Sequence, residues 1–176
     1  QTHNPCRLDL LQLGLEYMFG LFKSTPFRDP QLGELVRSRG LWRGALKLAS
    51  GESVPLALAG DRAQPDAQAL ALARDVSSQL AVWRPIIESA LFEHYAPYAE
   101  AFTTGQIESP DEVVPKILAA SEVWLHSTLI YVAVTPIDGK LATELGYTTS
   151  WDEEHTLGAR FQAGEFVELC GSVLPP

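Results

Sequence analysis

Apolar side chains recur at helical spacing near the start of the chain and again in its middle. Residues 8–22 place apolar positions three and four apart, which is typical of one face of an α-helix. The same spacing returns over residues 70–102, where Pro85 interrupts it. Because proline removes a hydrogen bond inside a helix, Pro85 is expected in the first turn of a second helix. A capping box at residues 109–112 predicts a short third helix. Its apolar positions are Val113, Val114, Ile117 and Leu118.

Alternating apolar and polar positions predict strands on both sides of the helical stretch. Residues 32–36, 41–48 and 54–58 are separated by glycine turns, which predicts a three-stranded antiparallel meander. Residues 123–135 are apolar on both faces, which is typical of a strand covered on both sides, and this strand would contain Trp124 and His126. Hairpin partners are expected at residues 141–147, 156–161 and 165–170, with turns at residues 136–139, which end in Asp138-Gly139, and at residues 162–164, which end in Ala163-Gly164.

This order of elements predicts an α+β fold. The antiparallel sheet would consist of the meander, a helical insert, a central strand and C-terminal hairpins, with helices packed on one face. With 176 residues the chain has room for one core. We therefore expect a single α+β domain over residues 26–176, preceded by an amphipathic helix at residues 1–25. The stripe of that helix is a candidate homodimer surface, formed by Leu8, Leu11, Leu15, Met18 and Phe22.

Charge narrows the classes of partner. The chain carries 13 Lys+Arg against 22 Asp+Glu, a formal net charge of −9, and a cut after Glu100 leaves only 3 basic but 11 acidic side chains in the second part. Such a surface repels phosphate, so we expect neither nucleic acid nor a membrane as partner. Cys6 and Cys170 are too few for a disulfide scaffold, which favours a cytoplasmic protein. No phosphate-binding or metal-ligand spacing is present, and no cofactor is expected.

The densest group of chemically active side chains is Trp151-Asp152-Glu153-Glu154-His155. Consecutive residues point in diverging directions, so we interpret the segment first as a partner-binding loop, together with Glu165 and Glu168 of the last hairpin. The alternative is a metal-assisted or acid/base hydrolase that uses Asp152, Glu154 and His155. In that alternative His126 or His94 would complete the site, and no catalytic residue can be assigned from the sequence alone.

Three motifs resemble a group of uncharacterised bacterial domains of unknown function. They are a D-x-x-L-G-x-L start at Asp29, a W-x-G strand at Trp42, and a W-D-x-E-H-x-L-G segment at Trp151. Relatives of this kind look like immunity or accessory proteins of bacterial toxin systems. The resemblance implies a binder without assigned catalytic residues.

Three hypotheses follow. The first is a non-catalytic protein-binding module, immunity-like, that meets a basic protein through its acidic second part. The second is the hydrolase described above. The third is a structural or oligomeric domain that pairs through its N-terminal helix.

Overall fold

The computed structural model describes residues 24–105 and 114–176. Within these residues, eight strands form one mixed sheet in the order β1 to β8, and one long helix and one 3-10 helix stand between β4 and β5. The strands are β1 Phe27–Asp29, β2 Gly33–Ser38, β3 Leu41–Lys47, β4 Ser53–Leu58, β5 Ser127–Ile137, β6 Lys140–Thr149, β7 Asp152–Gln162 and β8 Glu165–Val173. The helix α1 spans Ala67–Thr103, and the 3-10 helix spans Ala120–Leu125.

The predicted fold class is wrong in two respects. The sheet is mixed, because β4 and β5 pair in parallel while every other neighbouring pair is antiparallel. Strands dominate the described residues, and a single long helix takes the place of several helices packed on an antiparallel sheet. The physical reason is that α1 lies in a crossover connection, which brings the chain back to the sheet in the direction of β4. The strand pattern showed the turns between β2, β3 and β4, between β5 and β6, and between β7 and β8, but it showed neither β1 nor this return.

Local turn chemistry explains the hairpins. Arg39–Gly40, Asp138–Gly139 and Ala163–Gly164 connect successive strands, and both residues of each pair have positive φ. This backbone matches the twist of two-residue hairpins, and glycine adopts it without steric cost. The turns predicted at these three places are confirmed, as is the antiparallel pairing of β2, β3 and β4.

The helix α1 is continuous, so the expected break at Pro85 is wrong. The side chain of Asp66 caps its first turn by accepting a hydrogen bond from the Ala69 amide at 2.8 Å. Pro85 and Pro97 both lie inside the helix on its exposed side. A mid-helix proline costs roughly 3 kcal/mol. The buried stripe on both sides of Pro85 offsets that cost, and it consists of Ala69, Leu70, Ala73, Val76, Trp83, Ile87, Leu91 and Tyr95.

One face of the sheet packs against α1 and holds the main core. Trp83 of α1 stacks on Phe161 of β7 with ring centroids 4.1 Å apart. Trp42 is fully buried in this core, and its indole nitrogen donates to the Asp61 carbonyl at 3.0 Å. We call this side the helix face and the other side the open face. In the described part of the chain, no helix is long and apolar enough to span a bilayer.

The strand predicted at residues 123–135 begins later than expected. Residues 120–125 are a 3-10 helix, so Trp124 and His126 do not belong to the central strand. The indole nitrogen of Trp124 donates to Glu88 of α1 at 2.6 Å, and the Arg84 guanidinium lies 4.2 Å from its ring centroid. Contacts with α1 thus decide the conformation of this segment, which its strand-like composition could not show.

The remaining sequence predictions concern segments at the margins of the described structure. The capping box at residues 109–112 lies outside the described residues, as do most of the N-terminal helix at residues 1–25 and the dimer stripe. Residues 114–119 are not helical, so the third helix does not extend over Ile117 and Leu118. Instead the Ile117 amide donates to the Tyr95 hydroxyl at 3.2 Å, and that hydroxyl donates to the Pro115 carbonyl at 2.7 Å. Burial against α1 replaces helix formation here.

Candidate functional site

The predicted loop at residues 151–155 is mostly strand, because Trp151 lies in the preceding turn and β7 begins at Asp152. Between the pairs Tyr147–Leu157 and Thr149–Asp152, β7 contains more residues than β6, so residues 153–156 form a bulge in the ladder. We call residues 153–156 the β7 bulge. Bulges re-aim side chains and are frequent beside functional sites. Glu153, Glu154 and His155 are accordingly exposed, whereas Trp151 and Asp152 are buried.

The carboxylate of Asp152 is the centre of a polar cluster between β7 and α1. The Tyr98 hydroxyl donates to its Oδ2 at 2.7 Å, and His155 Nδ1 donates to its Oδ1 at 2.8 Å. His94 Nε2 lies 3.9 Å from Oδ2. Both carboxylate oxygens therefore have a partner, which is how a buried charge is tolerated. We call these four side chains and Trp151 the Asp152 cluster.

His94 is held in one neutral form by Trp151. The indole nitrogen of Trp151 can only donate, and it donates to His94 Nδ1 at 3.2 Å. His94 Nδ1 must then lack a proton, so the proton sits on Nε2, the nitrogen that faces Asp152. Burial lowers the pKa of His94, while the charge of Asp152 opposes this and that of His155 adds to it. A second proton would break the indole contact.

The cluster also perturbs the two acids that it joins. Burial works to raise the pKa of Asp152, but hydrogen bonds from Tyr98 and His155 outweigh it, and the pKa of Asp152 falls below its ordinary value. The pKa of Tyr98 rises to about 12, first because of burial and then because its hydroxyl donates to Asp152. At neutral pH the cluster thus contains an ionised Asp152, a protonated Tyr98 and a histidine pair around them.

His155 is the member of the cluster that reaches solvent. Its side chain is 46% exposed, and its Nδ1 is occupied by Asp152, which leaves Nε2 as the free nitrogen. An imidazole oriented by a carboxylate in this way has the arrangement of a general acid or base. This is the one arrangement in the cluster with the geometry of an acid/base pair.

The predicted metal or hydrolase site is not assembled as a whole. His126 hydrogen-bonds with Ser150 Oγ at 3.1 Å and has no hydrogen bond to the Asp152 cluster. Glu154 is exposed on the β7 bulge and makes no ion pair with another described residue. Residues 24–105 and 114–176 contain no group of three or more histidine, cysteine or acidic side chains that could hold a metal ion. Of the two histidines expected to complete the site, His94 lies beside Asp152 and His126 does not.

A second polar cluster, which sequence reasoning missed, lies on the open face. The buried Glu144 accepts from the Tyr131 hydroxyl and from Arg160 Nε, each at 2.7 Å. Arg160 also donates to Glu168 at 2.7 Å. Burial and the bond to Glu144 raise the pKa of Tyr131. The two glycines Gly146 and Gly158 were the signal in the sequence for this cluster. They pair across β6 and β7, and paired glycines leave space above a sheet.

The two glycines explain how these large polar side chains fit. A Cβ at Gly146 would collide with the Tyr131 ring, and one at Gly158 would lie 2.8 Å from Val173 and 3.1 Å from Glu144 Oε2. Real Cβ atoms essentially never lie within 3.0 Å of such a neighbour. Glycine is therefore required at both positions for close approach and not for turn conformation. We call Tyr131, Glu144, Arg160 and Glu168 the Glu144 cluster.

The predicted partner-binding residues divide into two groups at opposite ends of β7. Glu153, Glu154 and His155 stand at its start, whereas Glu165 pairs with Gln162 at its end. About nine residues of strand separate the two groups, which corresponds to roughly 30 Å at about 3.3 Å per residue. The acidic side chains of the second part thus do not form one compact patch.

A shallow cleft accompanies the hairpin end of the open face. It measures about 270 Å³ and lies between the β5–β6 turn and strands β6 to β8. Apolar side chains and charges of both signs line it: Ile137, Asp138, Lys140, Ala142, Arg160, Gln162, Val167 and Glu168.

Comparison with known proteins gives one match. A family model described as "Domain of unknown function (DUF6985)" matches residues 31–173, which is most of the chain. No curated protein and no solved structure matches. The matched range includes both polar clusters and all of the residues predicted to bind a partner.

Proposed function

The chain belongs to the DUF6985 family, and on that premise we propose that it is a non-catalytic protein-binding module for a basic protein. The observation that carries this proposal is a division among the acidic side chains. The carboxylates of the buried Asp152 and Glu144 accept hydrogen bonds from neighbouring side chains of the chain itself. The acids Glu153, Glu154 and Glu165 are exposed and make no ion pair with another described residue.

Exposed carboxylates without partners have two consequences. Their charge faces solvent, so it attracts the basic surface of another protein over about a Debye length and raises the rate at which the two proteins meet. They also add nothing to the stability of the fold, since exposed charges contribute little to it. A surface of this kind is therefore available for recognition.

The two polar clusters hold in place the strands that carry the exposed acidic side chains. Asp152 and Trp151 hold the start of β7 against α1, which orients the β7 bulge. Arg160 holds Glu168 and Glu144 together below the hairpin end. We propose that Trp151 and Asp152 act as positioning residues and that Glu153, Glu154, His155, Glu165 and Glu168 make the contact.

The same charge distribution supports a more specific proposal about the partner. We propose a bacterial, cytoplasmic, immunity-like protein whose partner is a basic toxin. Its support is the excess of acidic over basic side chains after Glu100 and the resemblance of three motifs to domains of that kind. Electrostatic complementarity gives such pairs speed and orientation.

The test compares variants of equal net charge. Glu153→Lys combined with Glu154→Lys and Glu165→Lys removes the proposed contact, while Glu52→Lys with Glu100→Lys and Glu34→Lys makes the same change of charge elsewhere. Proteins retained from the native organism by the immobilised wild type are purified and titrated against all three forms by calorimetry. We expect binding at least about tenfold weaker for the first variant and little changed for the second.

The proposal fails if the purified partner binds both variants as tightly as the wild type. It also fails if raising the salt concentration from 0.05 M to 0.5 M, as an order-of-magnitude range, leaves the affinity unchanged. Far-ultraviolet circular dichroism of each variant verifies that the charge changes leave the fold intact.

A second candidate function is acid/base hydrolysis, which the His155–Asp152 contact favours. The half-exposed imidazole, oriented by a buried carboxylate, has the arrangement of a general base. A panel of ester, phosphate and glycoside substrates is the test. Turnover that follows a histidine-like pH profile and disappears in His155→Gln but not in His126→Gln would establish it over the binding module.

A further inference from the structure

The two edges of the sheet differ in how they are protected. Edge strands invite pairing with other chains, and proteins protect them by short length, proline, charged side chains, β-bulges or covering elements. β1 is three residues long and is followed directly by Pro30. β8 has nine residues, contains no proline, and has no strand beside its outer edge in the described part of the chain, and its protection is limited to two glutamates and two shifts in register with β7. β8 is therefore the more open edge.

A bulge in β8 gathers its charges on one side. Arg160 pairs with Glu168 and Phe161 pairs with Phe166, so Val167 is the extra residue. Because Gln162, the partner of Glu165, lies two positions from Arg160, Glu165 and Glu168 project from the same face. That face is the open face, where Glu168 lines the cleft. The bulged Val167 is 52% exposed.

The cleft beside this edge has the size of a side-chain pocket. Sites for small molecules usually measure about 300–1,000 Å³ and enclose most of the ligand. At about 270 Å³ the cleft lies below that range, and it opens next to Val167 and Glu168 of the edge strand. A pocket in this position is what strand addition requires, since backbone bonds supply affinity and pockets for alternate side chains supply specificity.

Charge distinguishes a foreign segment from a second copy of this chain. β8 carries two glutamates, and no lysine or arginine follows Arg160. Pairing of two β8 strands would place acidic strands side by side. Arg160 already pairs with Glu168 and is shared with Glu144, whereas the exposed Glu165 makes no ion pair with another described residue, so this pairing is unfavourable. A strand that carries lysine or arginine instead finds Glu165, which is exposed, and Glu168, whose side chain is 50% exposed.

We propose that the outer edge of β8 accepts an extended, basic segment of a partner protein as a ninth strand. The segment places a lysine or arginine beside Glu165 and Glu168 and one side chain in the cleft. This inference rests on the proposed binding function and names the element that performs it.

The test uses synthetic peptides as the probe. Nine-residue peptides alternate lysine with threonine or valine, and their central residue is varied among alanine, leucine, phenylalanine and arginine. Binding is followed on the ¹⁵N-labelled full chain by amide chemical shifts and hydrogen exchange. Trp83, which donates to the Gly164 carbonyl at the hairpin turn, gives an additional fluorescence signal. We expect saturable binding that slows exchange at alternate amides of β8.

Two controls separate the contribution of backbone hydrogen bonds to binding from the contribution of charge. A peptide N-methylated at alternate residues keeps its charge but loses the donors that pair with β8, and we expect at least about tenfold weaker binding. Glu165→Lys should weaken binding about threefold to tenfold, and the matched change Glu52→Lys, in the turn between β3 and β4, should leave it nearly unaltered.

Contrary outcomes are distinct. If no peptide of the panel protects β8, or if the methylated peptide binds equally well, the inference is overturned. Perturbation of the β7 bulge instead of β8 overturns it too but preserves the proposed binding function. Protection of β8 without peptide, appearing with protein concentration and accompanied by a dimer in sedimentation, would show that a second copy is the occupant.

Discussion

The two faces of the sheet solve the problem of burial in different ways. On the helix face, α1 covers large apolar side chains such as Trp42, Leu145 and Phe161, and stacking of Trp83 on Phe161 closes the core. On the open face no helix lies over the sheet within the described residues. The buried polar groups there are Tyr131 and Glu144, with glycines beneath them, and a small apolar cluster of Ala57, Ala133 and Val173 packs beside Tyr131. Close packing of large apolar side chains stabilises the helix face, while ion pairs and hydrogen bonds stabilise the buried polar groups of the open face.

This difference shows where change can be tolerated. A packed apolar core loses stability with every atom removed, whereas a polar cluster fails when one partner is left unpaired. The recognition surface proposed above stands at the margins of both faces. It is therefore separable from them by mutation, and the following four predictions test that separation.

Removal of the ring at the centre of the helix face should have the largest effect. Phe161→Ala is expected to lower the free energy of unfolding by about 3–5 kcal/mol, because a buried aromatic leaves a cavity. Urea unfolding of the variant measures the loss. Val167→Ala on the exposed edge strand is the control and should change stability by less than about 0.5 kcal/mol. Similar losses in the two variants would contradict the description of the helix face.

Filling the space above the open face should come next. Gly146→Ala inserts a methyl group where the Tyr131 ring lies, and overpacking of this kind costs about 1–3 kcal/mol. In the double variant with Tyr131→Leu, part of the loss should disappear, since the smaller side chain leaves room. Urea unfolding of the four proteins of this cycle gives the coupling energy. Strict additivity would show that the two residues do not compete for space.

The ion pair that ties the first hairpin to α1 should give acid sensitivity. Arg74 and the amides of Gln31 and Leu32 donate to the buried Asp29, and the bond with Arg74 above all lowers the pKa of Asp29 to about 2. A lowered pKa adds stability above the unfolded value of 3.8, and this stability is lost as pH falls from about 4 to about 2. It amounts to about 2 kcal/mol.

Asp29→Asn tests this linkage. The variant should be less stable at neutral pH and should show a flatter decline between about pH 4 and pH 2. Thermal unfolding across this pH range, compared with wild type and with Asp75→Asn on the exposed side of α1, measures the difference. Parallel curves for wild type and Asp29→Asn would refute the assignment.

The smallest effect is expected at the exposed member of the Asp152 cluster. His155→Ala removes one donor to Asp152 and should cost about 1 kcal/mol or less, because the imidazole is half-exposed. Since the His155 bond helps to lower the pKa of Asp152, that pKa should rise in the variant. Carboxyl NMR titration detects the rise. An unaltered Asp152 titration would mean that Tyr98 alone holds the carboxylate.

Much of the strand order could be predicted from local pattern. Alternation located three of the four strands before α1, namely β2 to β4, and the hairpin at the end, and glycine turns marked the connections at Arg39, Asp138 and Ala163. The same approach failed for Pro85 and for residues 120–125. In both places contacts with distant elements outweighed the local preference of the backbone.

The candidate site was predicted in part. The sequence pointed to residues 151–155 as chemically dense, yet it treated them as one loop. Trp151 and Asp152 are buried against α1 through His94 and Tyr98, which lie more than fifty positions earlier in the chain. No local signal connects these positions, because their proximity results from the crossover of α1 over the sheet.

By itself the sequence determined the local conformations that depend on neighbouring residues: the glycine hairpins, the helical stripe capped by Asp66, and the excess of acidic charge after Glu100. Only the tertiary structure decided the parallel pairing of β4 with β5, the course of α1 through Pro85, and which acids are buried. The reason is physical. Turn and cap energies arise within a few residues, whereas burial and pairing of a carboxylate depend on side chains that only the folded chain brings together.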